Sequence, residues 1–270
     1  MSVERIDLER GRVSAQDSYR RLSVDAWLFR PAPKPHAHIR LFCFPYAGVG
    51  AAAYRTWPRY FPDGVEVCAV QPPGREGRLQ EAPLTRFRDL VDAAAAGLGS
   101  HFDRPFALFG HSMGGLLAFE VARTLAARGA ALPIHLFVSG RRAPHLSASH
   151  PPISHLDHDA FVAEVRRRYD GIPEEVFSNP DLMELLVPTL RADLMALEGY
   201  THVAGAPLEC PITAYGGSVD PEATEPEIAA WAPYSRVAFR YHILPGNHFF
   251  IQTSRVAVAG DVAKILGALL

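Results

Sequence analysis

A single serine stands between glycines directly after an apolar run: Phe106-Ala107-Leu108-Phe109 leads into Gly110-His111-Ser112-Met113-Gly114. The pattern is G-x-S-x-G. A serine hydroxyl is a weak nucleophile until a neighbouring base takes its proton, so the chemistry suggested is acyl transfer through an acyl-serine. Such a serine needs a strand before it and a helix after it, and a side chain at either glycine would clash where the two backbones close up. Both flanks have the required character. Residues 105–110 are short and apolar, and "MGGLLAFEVARTLAARG" (113–129) reads as a helix closed by Gly129. The plainer reading, Ser112 as a helix N-cap, does not explain the paired glycines and is compatible with the first.

A base and an acid should follow the nucleophile in the chain, each on a loop just past the carboxyl end of a strand. Among the histidines after Ser112, His135 and His242 fall inside strand-like runs, and His202 ends a helical stretch. His248 lies in "LPGNHFFIQ", a loop after the last apolar run, with Gly246 and Asn247 to make a tight turn and Phe249-Phe250 to anchor it. Its plainer reading is an ordinary loop histidine. The acid should follow "PITAYGG" (211–217), and Asp220 comes first in "SVDPEATE". Glu222 lies further out, and Asp193 in "LRADLMALEGY" is the rival, unless it is an exposed or capping acid of an insert helix. An oxyanion needs backbone N–H donors. Met113, next to the nucleophile, should supply one, and the loop "PYAGVG" the other, through Ala47 or, second, Tyr46. That loop could also be a plain glycine-rich turn.

The elements that must hold these residues alternate. Strand-like runs at 24–29, 39–44, 65–70, 105–110 and 134–140 are separated by helical patterns at 51–61, 87–102 and 113–129. Near-continuous apolar runs of this kind belong to a parallel sheet covered on both faces, an α/β fold. The alternation stops over 141–206, which holds two helical stretches, 157–169 and 180–200, with Pro188 inside the second. It resumes with strands at 211–217 and 237–244 and helices at 225–234 and 254–270. A structured insert of this length reads as a lid or binding element. Met183, Leu185, Leu186 and Leu194 within it would line an acyl tunnel or simply form its own core.

Bulk composition excludes several classes. With 270 residues, 48% of them hydrophobic, the chain can bury one large core, so a single domain over 1–270 is expected. A net charge of -2 does not suit a nucleic-acid binder. The polar start, 1–21, lacks the apolar stretch of a signal peptide, and no window has the length of a membrane span. Cys43, Cys68 and Cys210 are far apart and read as buried free thiols of a reducing compartment, so a cytoplasmic location is expected. His155 and His158 have the i, i+3 spacing of metal ligands, but no cysteine lies near and a serine relay needs no metal.

Taken in order, "FCFPYAGVG", "QPPGREGR", "FGHSMGG", "LRADLMALEGY", "YGGSVDP" and "PGNHFFI" resemble a type II thioesterase, the free-standing editing hydrolase of polyketide and nonribosomal peptide synthesis. The resemblance covers about residues 24–265. The chain departs from the family's usual A-G-G and G-G-H-F-F at Val49 and Asn247. The resemblance implies an α/β-hydrolase fold with a helical lid insertion over 143–206, and a triad at Ser112, Asp220 and His248. It implies an acyl group on the phosphopantetheine arm of an acyl or peptidyl carrier protein as substrate, that carrier as partner, no bound cofactor, and a monomer. Arg75, Arg78 and Tyr46 are the expected contacts for the arm or for an acidic carrier surface, the plainer reading of the arginines being pairing with acidic neighbours. The basic run Arg166 to Arg168 is a solvated helix face or a docking patch. Other readings are a chain-releasing thioesterase, which would usually be fused behind a carrier domain, a small-molecule esterase, or a non-catalytic scaffold of the same fold.

Overall fold

The computed structural model describes residues 26–169 and 178–270. The polar start at 1–21 and the first residues of the strand expected over 24–29 lie outside that range. Seven strands form one sheet: β1 Leu28–Phe29, β2 Ile39–Phe44, β3 Val65–Val70, β4 Phe106–His111, β5 His135–Ser139, β6 Ile212–Gly217 and β7 Phe239–Leu244, in the order β1-β3-β2-β4-β5-β6-β7. β1 pairs antiparallel with β3, and every other pairing is parallel.

The inner strands have the expected near-continuous apolar runs because both of their faces are covered. Along β4, Phe106 and Leu108 enter one core with helices α1 (Phe87–Leu98) and α2 (Met113–Ala127), while Ala107 and Phe109 enter a second core on the opposite face. That second face is covered by two 3-10 turns, Ala51–Tyr54 and Trp57–Tyr60, and by the C-terminal helix. The alternation is the period of two of a pleated strand. Fully burying a side chain such as Phe109 contributes about 1.5–3 kcal/mol, and polar residues that these strands do carry are buried in pairs, Arg40 with Glu66 and His135 with Thr213. β7, at the open edge, is half-buried to exposed.

Elsewhere the elements are shorter than the sequence pattern suggests. The helix expected over 51–61 is two 3-10 turns, the second with Pro58 in its first turn, where the missing N–H costs nothing. Helices α3 (His158–Arg168) and α4 (Pro180–Glu198) lie between β5 and β6 in the chain, in the stretch expected to be an insert. α4 is one helix that keeps Pro188 in its interior. α5 (Glu225–Ala229) ends early and a 3-10 turn, Ala232–Tyr234, takes over the rest of the expected helix. The helix expected over 254–270 is α7 Arg255–Gly267, and a short helix outside the expected ranges, α6 Phe250–Thr253, precedes it. The three cysteines are buried and free.

The β4–α2 junction is the tightest point. A Cβ on Gly110 would lie 2.0 Å from the Gly114 carbonyl oxygen, and a Cβ on Gly114 would lie 2.2 Å from that of Phe44 and 2.6 Å from that of Pro45. These neighbours are backbone atoms and cannot rotate away. Gly114→Ala should therefore cost about 2–3 kcal/mol or more, the scale of overpacking a full core. Gly260→Ala on exposed α7, where nothing lies within 4 Å of the new Cβ, should stabilise by up to about 1 kcal/mol. Thermal melts of the two variants check this, with shifts of opposite sign and about 2–4 °C per kcal/mol.

Candidate active site

Parallel strands present the groups. Ser112 follows β4 directly and sits at φ 52, ψ -119, a conformation that costs a non-glycine residue about 1–3 kcal/mol. The surroundings hold it there: the Ser112 N–H donates to the Ser139 carbonyl at 2.7 Å, and the Ser112 carbonyl accepts from Gly115 N–H at 3.0 Å. The side chain makes no capping hydrogen bond to α2, so the N-cap reading does not describe it. Its Oγ is 2.9 Å from His248 Nε2, and His248 Nδ1 is 2.9 Å from Asp220 Oδ2. Asp220 follows β6 and His248 follows β7, as the sequence pattern expects. Asp220 is buried, and its second oxygen accepts from Glu222 N–H at 2.8 Å. With Nδ1 donating to the carboxylate, Nε2 is left as the acceptor for the serine proton. Glu222 itself points elsewhere and pairs with Arg142 and His150.

Ala47 lines the cavity at Ser112, and its N–H has no acceptor among the described residues. Met113 opens α2, where the first N–H groups have no partner inside the helix. Both positions suit donors aimed at a developing oxyanion. Tyr46 lines the same cavity, packed edge-on against His111 and Phe249, and its hydroxyl accepts from Gln252 Nε2 at 3.2 Å. Burial, followed by the nearby His248, pushes the His111 pKa well below the usual imidazole range, so His111 stays neutral beside His248.

The two arginines expected as contacts for the arm or carrier are both paired within the chain. Arg75 is buried, and its guanidinium holds Asp193 with both arms, at 2.5 and 2.8 Å, while also donating to the Pro73 and Val49 carbonyls. Arg78 is spent on Glu81 at 2.6 and 2.5 Å, on the Gln71 carbonyl, and on the face of Trp27. Neither lines a cavity at Ser112. The plainer reading, pairing with acidic neighbours, describes both: a planar fork of donors is satisfied bidentately by a carboxylate, and here Asp193 and Glu81 of the chain itself satisfy it. Arg167 and Arg168 likewise pair with Glu164.

Asp193 has a different role from the acid considered for it. It bonds Gly48 N–H at 2.8 Å as well as Arg75, and so ties α4 to the loop that carries Ala47. The sequence does hold a signal for this. Leu190, Asp193, Leu194 and Leu197 follow the i, i+3, i+4, i+7 stripe of a buried face, and a carboxylate on such a stripe requires a partner.

The cavity in front of Ser112 has a volume of ≈ 210 Å³ and is almost wholly apolar. Val162 and Val165 of α3 and Met183, Leu186, Val187, Leu190 and Leu194 of α4 form its outer wall. Leu185, grouped with these from the sequence, faces solvent instead. Among the described residues no three His, Cys, Asp or Glu side chains converge as metal ligands, and no helix is long and apolar enough to cross a membrane.

Asp193→Asn should leave the buried Arg75 charge partly uncompensated. The expected cost is about 3–5 kcal/mol of stability, seen as a lower melting temperature together with weaker catalysis. Asp220→Asn should lower kcat with little change in melting temperature, because its carboxylate serves His248. A fall in melting temperature for Asp220→Asn as large as that for Asp193→Asn would count against this division of roles.

Comparison with known proteins agrees with this geometry. The family model described as "Thioesterase domain" matches residues 39–266. The chain is 38% identical over 247 residues to the gramicidin S biosynthesis protein GrsT of Aneurinibacillus migulanus, covering 92% of this chain and 96% of that protein. Among solved structures it is similar to RedJ, a thioesterase from the prodiginine biosynthetic pathway of Streptomyces coelicolor, with a TM-score of 0.77, 42% identity, and 85% and 92% of the two chains covered. It is similar also to BorB, a type II thioesterase from the borrelidin biosynthetic cluster, with a TM-score of 0.81, 36% identity, and 89% and 97% covered. A match of this extent, over a sheet with the α/β-hydrolase strand order, places the protein in the thioesterase family, hydrolases of the thioester bond.

Proposed function

We propose that this protein is an editing thioesterase, which clears short acyl groups from the phosphopantetheine arm of a carrier protein in polyketide or nonribosomal peptide synthesis. One observation carries the chemistry: an unbroken hydrogen-bonded relay from Asp220 through His248 to Ser112, opening into an apolar cavity. His248 Nε2 takes the Ser112 proton as Oγ attacks the thioester carbonyl. The N–H groups of Ala47 and Met113 hold the oxyanion. Asp220 stabilises the imidazolium that forms. The imidazolium returns its proton to the departing thiol, a good leaving group with a pKa of about 8.5. Water deprotonated by His248 then releases the acid from the acyl-serine. The reaction as drawn uses protein groups and water alone.

The editing role is supported by the likeness to type II thioesterases and by the size of the cavity. At ≈ 210 Å³ it lies below the roughly 300–1,000 Å³ common for drug-sized ligands, which suits a short acyl group better than a finished chain. Helices α3 and α4 cover this cavity and act as the lid through which the arm reaches Ser112. The carrier stays outside, so the enzyme works as a soluble cytoplasmic partner of the synthase.

Ser112→Ala should lower hydrolysis by several orders of magnitude with unchanged far-UV circular dichroism, and an inhibitor adduct located by mass spectrometry should sit on Ser112. An adduct on another residue would overturn the assignment. Propionyl loaded on a carrier should be hydrolysed with a higher kcat/KM than propionyl-N-acetylcysteamine, and the advantage should shrink with salt, since exposed charges act mainly on the encounter rate. Equal values without a salt effect would point to a small-molecule esterase, and a strong preference for one long mature chain to a chain-releasing enzyme.

A further inference from the structure

Ser112 and His248 line a second cavity besides the apolar one. Its walls include Gly140, Arg141, Ser149, His150 and Glu198, so it is polar where the first is apolar. Nearly every charged group in it is already matched within the chain. Arg142 donates to the Glu222 and Ser147 carbonyls and pairs with Glu222 and Glu227. Arg168 bonds Glu164 and the Pro151 carbonyl. Glu198 accepts from Ile153 and Ser154, and His150 faces Glu222. Arg141 is the exception. Its backbone carbonyl is fixed by Trp231 Nε1 at 2.7 Å, but among the described residues its guanidinium has no side-chain hydrogen bond, and its Nε is sealed from solvent without an acceptor. Burial, with Arg142 adding to it, pushes the Arg141 pKa down to about 10, so the group remains a cation at neutral pH.

The two terminal Nη groups of Arg141 are not sealed in this way and also make no hydrogen bond among the described residues, so they are the donors that a ligand acceptor in the cavity could engage. The two cavities divide a thioester by polarity. The hydrocarbon of the acyl group belongs in the apolar one, and the thiol limb must then leave through the polar one. In a pantetheine arm that limb carries an amide carbonyl separated from the sulfur by two methylenes and a nitrogen. We propose that the cavity beside Gly140 receives the thiol limb and that Arg141 donates to the amide carbonyl nearest the sulfur. This assignment rests on the thioesterase reading above and makes Arg141 a determinant of which thiols the enzyme accepts.

The test is a cycle between residue and substrate. Propionyl-N-acetylcysteamine carries the amide; S-ethyl thiopropionate does not. For the wild-type chain, the ratio of kcat/KM for the first over the second should be large. In Arg141→Met, which keeps the packing of the stem, that ratio should fall about ten- to a hundredfold, the value of one hydrogen bond from a charged donor. Arg141→Lys, which keeps the charge but not the fork, should fall between. Melting temperatures of both variants confirm that they fold. Turnover of the S-ethyl ester by the wild type tests the thioesterase reading separately, because that substrate lacks the amide. A ratio unchanged in Arg141→Met overturns the assignment. So does an unchanged ratio accompanied by a selective loss of methylmalonyl- against propionyl-N-acetylcysteamine, which would make the guanidinium a counter-ion for a carboxylate on the acyl group.

Discussion

The constraint on which the site depends is the backbone at Ser112. Its φ of 52 is a left-handed conformation that a side-chain-bearing residue avoids, and it turns the chain from β4 into α2 within one residue. The turn is sharp enough that α2 starts against the carbonyls of Phe44 and Pro45, where only glycine fits at 114. The strain persists because β4 is buried between β2 and β5, and because the Ser112 N–H is held by the Ser139 carbonyl. The result is a hydroxyl pushed out beyond the sheet's edge, with the first N–H groups of a helix directly behind it. Ground-state strain at one residue, of about 1–3 kcal/mol, is small against the burial of the surrounding cores.

A second tie acts across the mouth of the site. Asp193 is almost fully buried, yet it is charged, and it is matched by both arms of Arg75 and by Gly48 N–H. This one carboxylate joins three separate stretches of chain: α4, the loop after β3 that carries Arg75, and the loop after β2 that carries Ala47. Breaking such a pair costs more than it would ever contribute relative to an apolar substitute. Its value here is geometric, since it fixes how the α4 wall of the cavity sits over the loop that carries Ala47.

Much of this was legible in the sequence, for reasons that differ by residue. Ser112, Asp220 and His248 could be chosen because each follows an apolar strand run, and parallel sheets gather their strand ends at one edge. The glycines around Ser112 were equally readable, since close backbone approach leaves no alternative residue. The arginines were not. Arg75 and Arg78 sit in a polar loop whose sequence is compatible with an exposed patch, and only the fold brings Asp193 to the first, across a sequence separation of 118 residues. The helix boundary at 51–61 was blurred because a 3-10 turn and an α-helix share the same apolar spacing over a few residues. Arg141 was invisible for another reason: a guanidinium without a partner is a property of its surroundings, and no residue type announces it.

The two cavities at Ser112 also suggest how an editing enzyme could be tolerant and selective at once. An apolar pocket distinguishes acyl groups by only about 1–3 kcal/mol per methylene, so a wall of Val, Leu and Met side chains accepts many short chains with similar rates. Polar recognition is steeper, because a missing acceptor leaves a buried donor unmatched. Placing the polar cavity on the thiol side assigns the steep discrimination to the part of the substrate that every carrier-bound intermediate shares, and the shallow discrimination to the part that varies. On that arrangement, what the enzyme rejects is decided at Arg141 and its neighbours, while the acyl cavity sets little more than an upper limit on length.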